Sequence, residues 1–142
     1  MLSGHGFNFP IEVRFRDLDA LGHVNNAVFL TYLESARIAY WLELTGRTGL
    51  AAMDMILARV EIDYRSPAAY RERLEVAVRV GSIKRSSFTM EFRIVEREGH
   101  RLVAEARNVL VYYDYAAARP MPIPEGLRQR MLSLNPDAKQ EA

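Results

Sequence analysis

Cysteine is absent from this sequence of 142 residues. The absence excludes disulfides, thiolate-bound metal and a cysteine nucleophile, and it fits a reducing compartment. Long uncharged apolar runs are also missing, so we expect no transmembrane helix. The first ten residues, MLSGHGFNFP, contain neither a basic cluster nor an apolar segment. We therefore expect no secretory signal and a cytoplasmic location.

Sequence motifs for several kinds of chemistry are missing as well. The chain has no glycine-rich phosphate loop and no G-x-S-x-G nucleophile elbow. Its three histidines, His5, His23 and His100, are scattered along the chain and do not form a metal-ligand pattern. The sequence therefore predicts no metal site.

An excess of either charge is missing too, since 19 basic residues face 18 acidic ones and the formal net charge is +1. The basic residues are spread among the acids, which predicts neither a nucleic-acid partner nor binding to an anionic membrane. Any attraction for an anionic ligand must therefore be local.

What the chain does have is an ordinary globular composition, with 49% hydrophobic residues. The length suits one compact domain over residues 1–142. We expect its core to span about 10–115, with a tail over 116–142, and residues 1–9 to form a loose arm.

The next part of the chain is predicted to hold one strand and one helix. Ile11, Val13 and Phe15 alternate with charged residues, which indicates a short half-buried strand. From residue 27 to 44 there is no glycine or proline, and apolar residues recur at helical spacing. This pattern indicates a helix that is buried on most of its circumference and ends at Thr45-Gly46.

After the helix the apolar period changes to two, which predicts a sheet. Short connections make its strands antiparallel neighbours. We expect strands over residues 56–64, 74–80, 88–94 and 102–113, and a short helix over 125–134. One buried helix against one antiparallel sheet is a two-layer α+β domain. A helix so apolar needs cover on several sides, which a strongly curved sheet wrapped around it would supply.

The loop between the first strand and the long helix, RDLDALGHVNN at residues 16–26, is unusually rich in hydrogen-bonding groups. Asp17 and Asp19 in such a place are usually turn or cap residues, and Asn25 or Asn26 can cap the helix. The same loop can also serve chemistry, because a carboxylate can act as nucleophile or general base. The first turn of a helix offers free N–H groups to an oxyanion.

The stretch VRFRDLDALGHVNNAVFLTYLESAR, followed by a buried helix and four strands, resembles the hotdog-fold acyl-CoA thioesterases. It is most similar to the branch that includes 4-hydroxybenzoyl-CoA thioesterase and the small bacterial acyl-CoA thioesterases. DLDALGHVNN is also similar to the motif of plant acyl-ACP thioesterases. The resemblance covers roughly Pro10 to Tyr113. It implies a central helix wrapped by a curved antiparallel sheet.

Site residues follow from this resemblance by position. The family's catalytic aspartate corresponds to Asp19, as nucleophile or general base, and its carbonyl-polarising amides to the backbone around Asn26. The plant enzymes use a histidine placed like His23. They also have an asparagine where this chain has Leu21, a departure that leaves the aspartate-plus-helix mechanism intact.

The resemblance also implies a substrate and an assembly. Family members bind CoA through basic and hydroxyl residues on the turn between the middle strands, which here are Lys84, Arg85, Ser86 and Ser87. CoA is part of the substrate, so no separate cofactor is implied. The substrate is acyl-CoA or acyl-ACP. Members are homo-oligomers, dimers or tetramers, with each site shared between two subunits.

Three functions remain open on the sequence alone. Besides a thioesterase, the chain could be a hotdog hydratase or dehydratase with its carboxylate on the helix, or a non-catalytic binder of acyl thioesters. Glu34 is the helix carboxylate in question, although with Arg37 it is most simply an i,i+3 ion pair. Aromatic, short and medium-chain acyl groups all stay possible. Candidate pocket residues, equally suited to the core, are Phe29, Tyr32, Leu57, Tyr64 and Phe88.

Overall fold

The computed structural model describes residues 6–49 and 53–141, in which one long helix packs against an antiparallel sheet. The elements are β1 (Phe7–Glu12), a 3-10 turn (Phe15–Asp17), α1 (Val28–Thr45), β2 (Met55–Tyr64), β3 (Arg73–Ile83), β4 (Ser87–Glu96), β5 (Leu102–Asp114), β6 (Arg119–Pro120), α2 (Glu125–Leu134) and β7 (Lys139–Gln140). The predicted α+β architecture is confirmed.

The sheet has the strand order β1-β3-β4-β5-β2, and every pair along this path is antiparallel. β6 pairs with the end of β5, and β7 lies parallel to β3. Register shifts occur near Leu57, Val80 and Ile94. Such bulges bend a strand and increase its twist.

The alternating strands are buried on the side that faces the helix, as the sequence predicts. Leu74, Val76 and Val78 of β3 are fully buried. On α1, Leu30, Thr31, Glu34 and Glu43 are exposed, and the other residues are buried or half-buried. Trp41 stacks on Phe88 of β4, with ring centroids 5.6 Å apart. The helix ends where predicted, at Gly46 in the left-handed region with φ +68°.

The predictions for the N-terminal arm and for Phe15 were wrong. Residues 7–9, assigned to a loose arm, begin β1, which pairs with β3 from Phe7↔Val78 to Glu12↔Arg73. Pro10 is tolerated because β1 is an edge strand. Phe15, expected on the buried side of this strand, lies in the 3-10 turn and is 76% exposed. Residues 1–5, including His5, lie outside the described residues.

The C-terminal segment is integrated into the fold. α2 spans the predicted residues, and its Met131 is fully buried in the core. Asn135, which is 6% exposed, accepts the Val80 N–H at 2.9 Å and donates to Tyr40 Oη at 2.8 Å. One side chain thus joins α2 to β3 and α1. Among residues 6–49 and 53–141, neither helix combines the length and the apolar character that crossing a membrane requires.

Asn135→Ala should lower the free energy of unfolding by about 1–3 kcal/mol, because it leaves the buried Val80 N–H and Tyr40 Oη without this partner. Urea denaturation of the purified protein measures the change. Gln129→Ala is the control, since Gln129 makes an exposed i,i+4 hydrogen bond to Glu125 worth only a few tenths of a kcal/mol. Equal midpoints for both variants would contradict the role given to Asn135.

Candidate active site

The loop between β1 and α1 folds back on itself as a short antiparallel ladder. The Asn25 N–H donates to Asp17 O at 2.9 Å, Leu18 bridges Val24, and the Asp19 N–H donates to His23 O at 2.9 Å. The tip is a turn closed by the Gly22 N–H on Asp19 O, with Gly22 at φ +84°. That conformation favours glycine. The ladder places Asp19 directly opposite His23.

Asp17 anchors this loop to its surroundings and is 2% exposed. Tyr32 Oη of α1 donates to its Oδ2 at 2.7 Å, and Arg14 donates from its backbone N–H at 2.9 Å and from Nη2 at 3.0 Å. Burial alone would raise the pKa of this carboxyl, but the bonds from Arg14 and Tyr32 outweigh it and hold the pKa below its ordinary value. Burial and the Asp17 bond raise the pKa of Tyr32. Asp17 is therefore an ionised structural group.

Asp19 is placed differently from Asp17. It is half-buried, and its Oδ1 accepts the Leu21 N–H at 2.9 Å. Within the described parts of the chain its Oδ2 has no hydrogen-bond or cationic partner. Of the two aspartates, Asp19 is thus the carboxylate with an oxygen left for a ligand or a water molecule.

The start of α1 lies at the base of the same loop. Asn25 uses both of its oxygens, accepting the Ala27 N–H on Oδ1 and the Val28 N–H on its carbonyl, each at 2.9 Å. The Asn26 N–H has no acceptor among the described residues, and the Asn26 carbonyl accepts Tyr64 Oη at 2.9 Å. An unsatisfied amide beside a helix N-terminus is suited to an anionic oxygen.

The predicted helix cap by Asn25 or Asn26 was wrong, and the contacts of His23 can now be described. The N-cap position of α1 is Ala27, so neither asparagine side chain caps the helix in the predicted way. The Asn25 side chain instead accepts the N–H of Ala27, the residue before the helix. The Asn26 side chain makes no hydrogen bond to the described residues. His23 is exposed, and only its backbone is engaged, with Asp19 and Ala69.

The five candidate pocket residues separate into two groups. Phe29 packs edge-on against Tyr32 and Tyr64, with centroids 5.7 and 5.5 Å away, so these three rings lie together at the start of α1. Phe88 is a core residue at the far end of the helix, and Leu57 is 40% exposed on β2. Phe29 and Tyr32 are buried and Tyr64 is 46% exposed, so Tyr64 is the ring beside Asn26 that a substrate can contact.

The predicted Glu34–Arg37 pair is present, with Nη2 and Oε2 3.8 Å apart. The Glu34 side chain is 62% exposed and the Arg37 side chain only 9%. Burial lowers the pKa of Arg37, partly offset by Glu34. An exposed carboxylate paired in this way gives no support to a helix-based hydratase site. No group of three His, Asp or Glu side chains within residues 6–49 and 53–141 is arranged to hold a metal ion.

The turn at Lys84–Ser87 lies far from the loop within one chain. The loop adjoins the start of β3, where the Val13 N–H donates to Glu72 O, and the turn follows its last residue, Ile83. Since β3 has 11 residues, the two are roughly 30 Å apart. Lys84 Nζ is 3.8 Å from Glu141, and Arg128 donates to the Lys84 carbonyl at 2.8 Å.

Sequence reasoning missed the residues that support the loop. Arg14 and Tyr32 fix Asp17, and Tyr64 fixes the Asn26 carbonyl. The spacing Arg14-x-x-Asp17 is a local signal for an ion pair and could have been read. Nothing in the sequence links Tyr64 to Asn26, since 38 residues separate them.

Comparison with known proteins places this geometry in a family. The sequence profile of the thioesterase-like superfamily matches residues 13–131. A thioesterase from Thermus thermophilus, solved with coenzyme A and Zn, is 38% identical with a TM-score of 0.80, over 95% of this chain and 98% of that one. The acyl-CoA thioesterase YbgC of Haemophilus influenzae is 27% identical over 128 residues, covering 87% of this chain and 93% of its own. A 1,4-dihydroxy-2-naphthoyl-CoA hydrolase of Synechococcus elongatus is 27% identical over 127 residues, covering 86% and 92%.

Asp17→Asn should lower the free energy of unfolding by about 1–3 kcal/mol at neutral pH, since it weakens buried, charge-assisted hydrogen bonds. Because the folded pKa lies below the ordinary 3.8, the ionised group stabilises the protein fully above that value. Its contribution is lost as the pH falls through the folded pKa. Denaturation of parent and variant between pH 7 and pH 2.5 checks this.

The control for that series is Asp63→Asn, whose carboxylate is 72% exposed and lies 3.6 Å from Arg65. It should change the unfolding free energy little at any pH. A gap between parent and Asp17→Asn that stayed constant down to pH 2.5 would show that ionisation of Asp17 is not what stabilises the loop.

Proposed function

The chain belongs to the thioesterase-like superfamily, and from that premise we propose that it is an acyl-CoA thioesterase. It would hydrolyse the thioester to a free carboxylic acid and the CoA thiol. One observation carries the proposal for this chain: a carboxylate with a free oxygen, Asp19, and an amide without an acceptor among the described residues, Asn26 N–H, belong to the one loop between β1 and α1. The relatives named as acyl-CoA thioesterase and as an acyl-CoA hydrolase span nearly the whole chain.

The reaction uses each of these groups once. As general base, Asp19 takes a proton from water while the hydroxide attacks the thioester carbonyl. The Asn26 N–H and the α1 terminus stabilise the oxyanion, which collapses and expels the thiolate, and the proton returns to that sulfur. As nucleophile, Asp19 would attack the carbonyl itself and expel the thiolate. Water would then hydrolyse the resulting anhydride, which restores the Asp19 carboxylate, releases the acid and supplies the proton that the thiolate takes up. We assign His23, opposite Asp19, to orienting the substrate.

Support for a shared site comes from the separation within one chain. Lys84, Arg85, Ser86 and Ser87 lie roughly 30 Å from the loop of the same copy, along β3. If these residues contact the phosphates of CoA, they do so for a site whose Asp19 belongs to another copy. A homo-oligomer is therefore part of the proposal.

The edge strand β2 is the surface that suits a second copy. Within residues 6–49 and 53–141 it pairs only with β5, so its other edge has no strand partner there. Ile56, Leu57 and Tyr64 on β2 are 37–46% exposed. An exposed edge strand that carries apolar side chains can pair with another chain, and here pairing would bring a partner next to Tyr64 and Asn26.

Asp19→Asn should reduce thiol release from acyl-CoA at least 100-fold with the fold intact, since a positioned base or nucleophile contributes about 10²–10⁴ to the rate. The asparagine keeps an oxygen for the Leu21 N–H. A thiol-detecting assay over aromatic, short-chain and long-chain acyl-CoAs measures the loss and identifies the substrate class.

Asp114→Asn is the matched control, because Asp114 at the end of β5 accepts the Ala116 and Ala117 N–H groups in a similar turn outside the candidate site. It should retain the parent rate. Full activity in a folded Asp19→Asn protein would refute the role of Asp19. No release from any acyl-CoA by the parent would direct the assay to acyl-ACP.

Leu57→Lys should break the association between copies, because it replaces one of the exposed apolar side chains of β2 with a charge. Sedimentation velocity should show a shift towards monomer, and kcat/KM for acyl-CoA should fall at least tenfold, since each site would lose its partner. Arg130→Ala, on the exposed face of α2, should change neither quantity. A monomeric Leu57→Lys protein with full kcat/KM would contradict a shared site.

A further inference from the structure

A cleft of about 490 Å³ lies beside the start of the candidate active-site loop. Its volume falls within the range of about 300–1,000 Å³ that small-molecule sites occupy. The cleft lies between the end of β1 and the turn before β3, which are joined by the Val13–Glu72 hydrogen bond. Its lining residues are Glu12, Val13, Arg14, Phe15, Tyr70, Arg71 and Arg73.

The charge in this cleft favours an anion. Arg14 is neutralised by Asp17, which lies outside the lining. Arg71 and Arg73 have no carboxylate within ion-pair distance among the described residues, and Glu12 is the one acid in the lining. Two guanidinium groups that present planar donors are suited to phosphate oxygens.

The cleft also presents aromatic surface to solvent. Phe15 is 76% and Tyr70 47% exposed, and their rings meet edge to face with centroids 5.9 Å apart. The Arg71 guanidinium lies over the Tyr70 ring, 5.4 Å from its centroid. Exposed aromatic rings beside guanidinium groups form a stacking surface for a nucleobase.

The backbone at Arg71 adopts a conformation that favours glycine. The Glu72 N–H closes a turn on Ala69 O, and Arg71, the third residue of that turn, has φ +66°. Glycine adopts this conformation at lower cost. The arginine side chain at this position lies on Tyr70 and in the cleft.

We propose that this cleft binds the phosphorylated adenosine of CoA, with the base on Phe15 and Tyr70 and a phosphate on Arg71 and Arg73. This rests on the proposed function, because it names where one subunit holds the carrier of its own substrate. The cleft adjoins the loop that carries Asp19 in the same chain, and the Lys84–Ser87 turn of another copy is left for the pyrophosphate of the same CoA. Free adenosine phosphates share this chemistry, so binding and kinetics are measured separately.

The binding arm is a calorimetric titration of the full-length protein with adenosine 3′,5′-bisphosphate. Arg71→Gly should weaken binding roughly tenfold while the fold is kept, since it removes the guanidinium and relieves the positive φ. Phe15→Ala should weaken it several-fold without touching the core, because Phe15 is mostly exposed. Ala118→Gly, which relieves a similar φ of +53° elsewhere, and Arg130→Ala, which removes one exposed charge, should bind as the parent does.

The kinetic arm compares acyl-CoA with the same acyl group on pantetheine, which lacks the nucleotide. Arg71→Gly should raise KM for acyl-CoA about tenfold with kcat within about twofold, the pattern of lost uniform binding. It should hydrolyse the acyl-pantetheine as the parent does. An unchanged KM for acyl-CoA would overturn the assignment to CoA.

The two proposals fail in different ways. If the parent does not bind adenosine 3′,5′-bisphosphate, or if Arg71→Gly binds it equally well, the cleft is not a nucleotide site, whatever the hydrolytic activity. If the parent binds the bisphosphate through Arg71 but releases no thiol from any thioester, the nucleotide site stands and the thioesterase proposal falls.

Discussion

The buried carboxylate of Asp17 is the contact on which the candidate site depends. It joins the end of β1 through Arg14, the loop through its own backbone and α1 through Tyr32. A charge that is 2% exposed is stable only when it is this well hydrogen-bonded, so the three segments can meet in few other ways. Asp17 thereby fixes the loop that carries Asp19 and Asn26 against the rest of the fold.

The two aspartates of the motif therefore have different roles: Asp17 holds the loop in place, and Asp19 keeps one oxygen free. Asp17 uses both carboxylate oxygens, and Asp19 uses one. The sequence favours Asp19 only by its register in the motif, and the structure adds a physical reason, since an oxygen already bound to arginine and tyrosine is not available to a substrate. The sequence does not reveal which aspartate is bound in this way, because Tyr32 lies 15 residues from Asp17.

Elements with a strong local pattern were predictable from the sequence, and the long-range contacts were not. The helix end at Gly46, the alternation of β3 and β4, and α2 each follow from residues close to one another in sequence. The start of β1 was missed although Phe7 and Phe9 continue the alternation of Ile11, because Asn8 and Pro10 are typical of loops. Its strand conformation is specified by pairing with β3, some 70 residues away. The same limit hides the Tyr64–Asn26 bond and the distance between the loop and the Lys84 turn.

The strand order has a consequence for the course of folding. β3, β4 and β5 are neighbours in both chain and sheet, so they can form with short loop closures. β2 precedes β3 in the chain yet pairs with β5, and β1 pairs with β3 across the whole of α1, so both edges close over long separations. Low sequence separation therefore favours β3, β4 and β5 as the folding nucleus. The ladder that holds Asp19 depends on β1, α1 and the turn before β3, so we expect it to assemble only after the edges have joined.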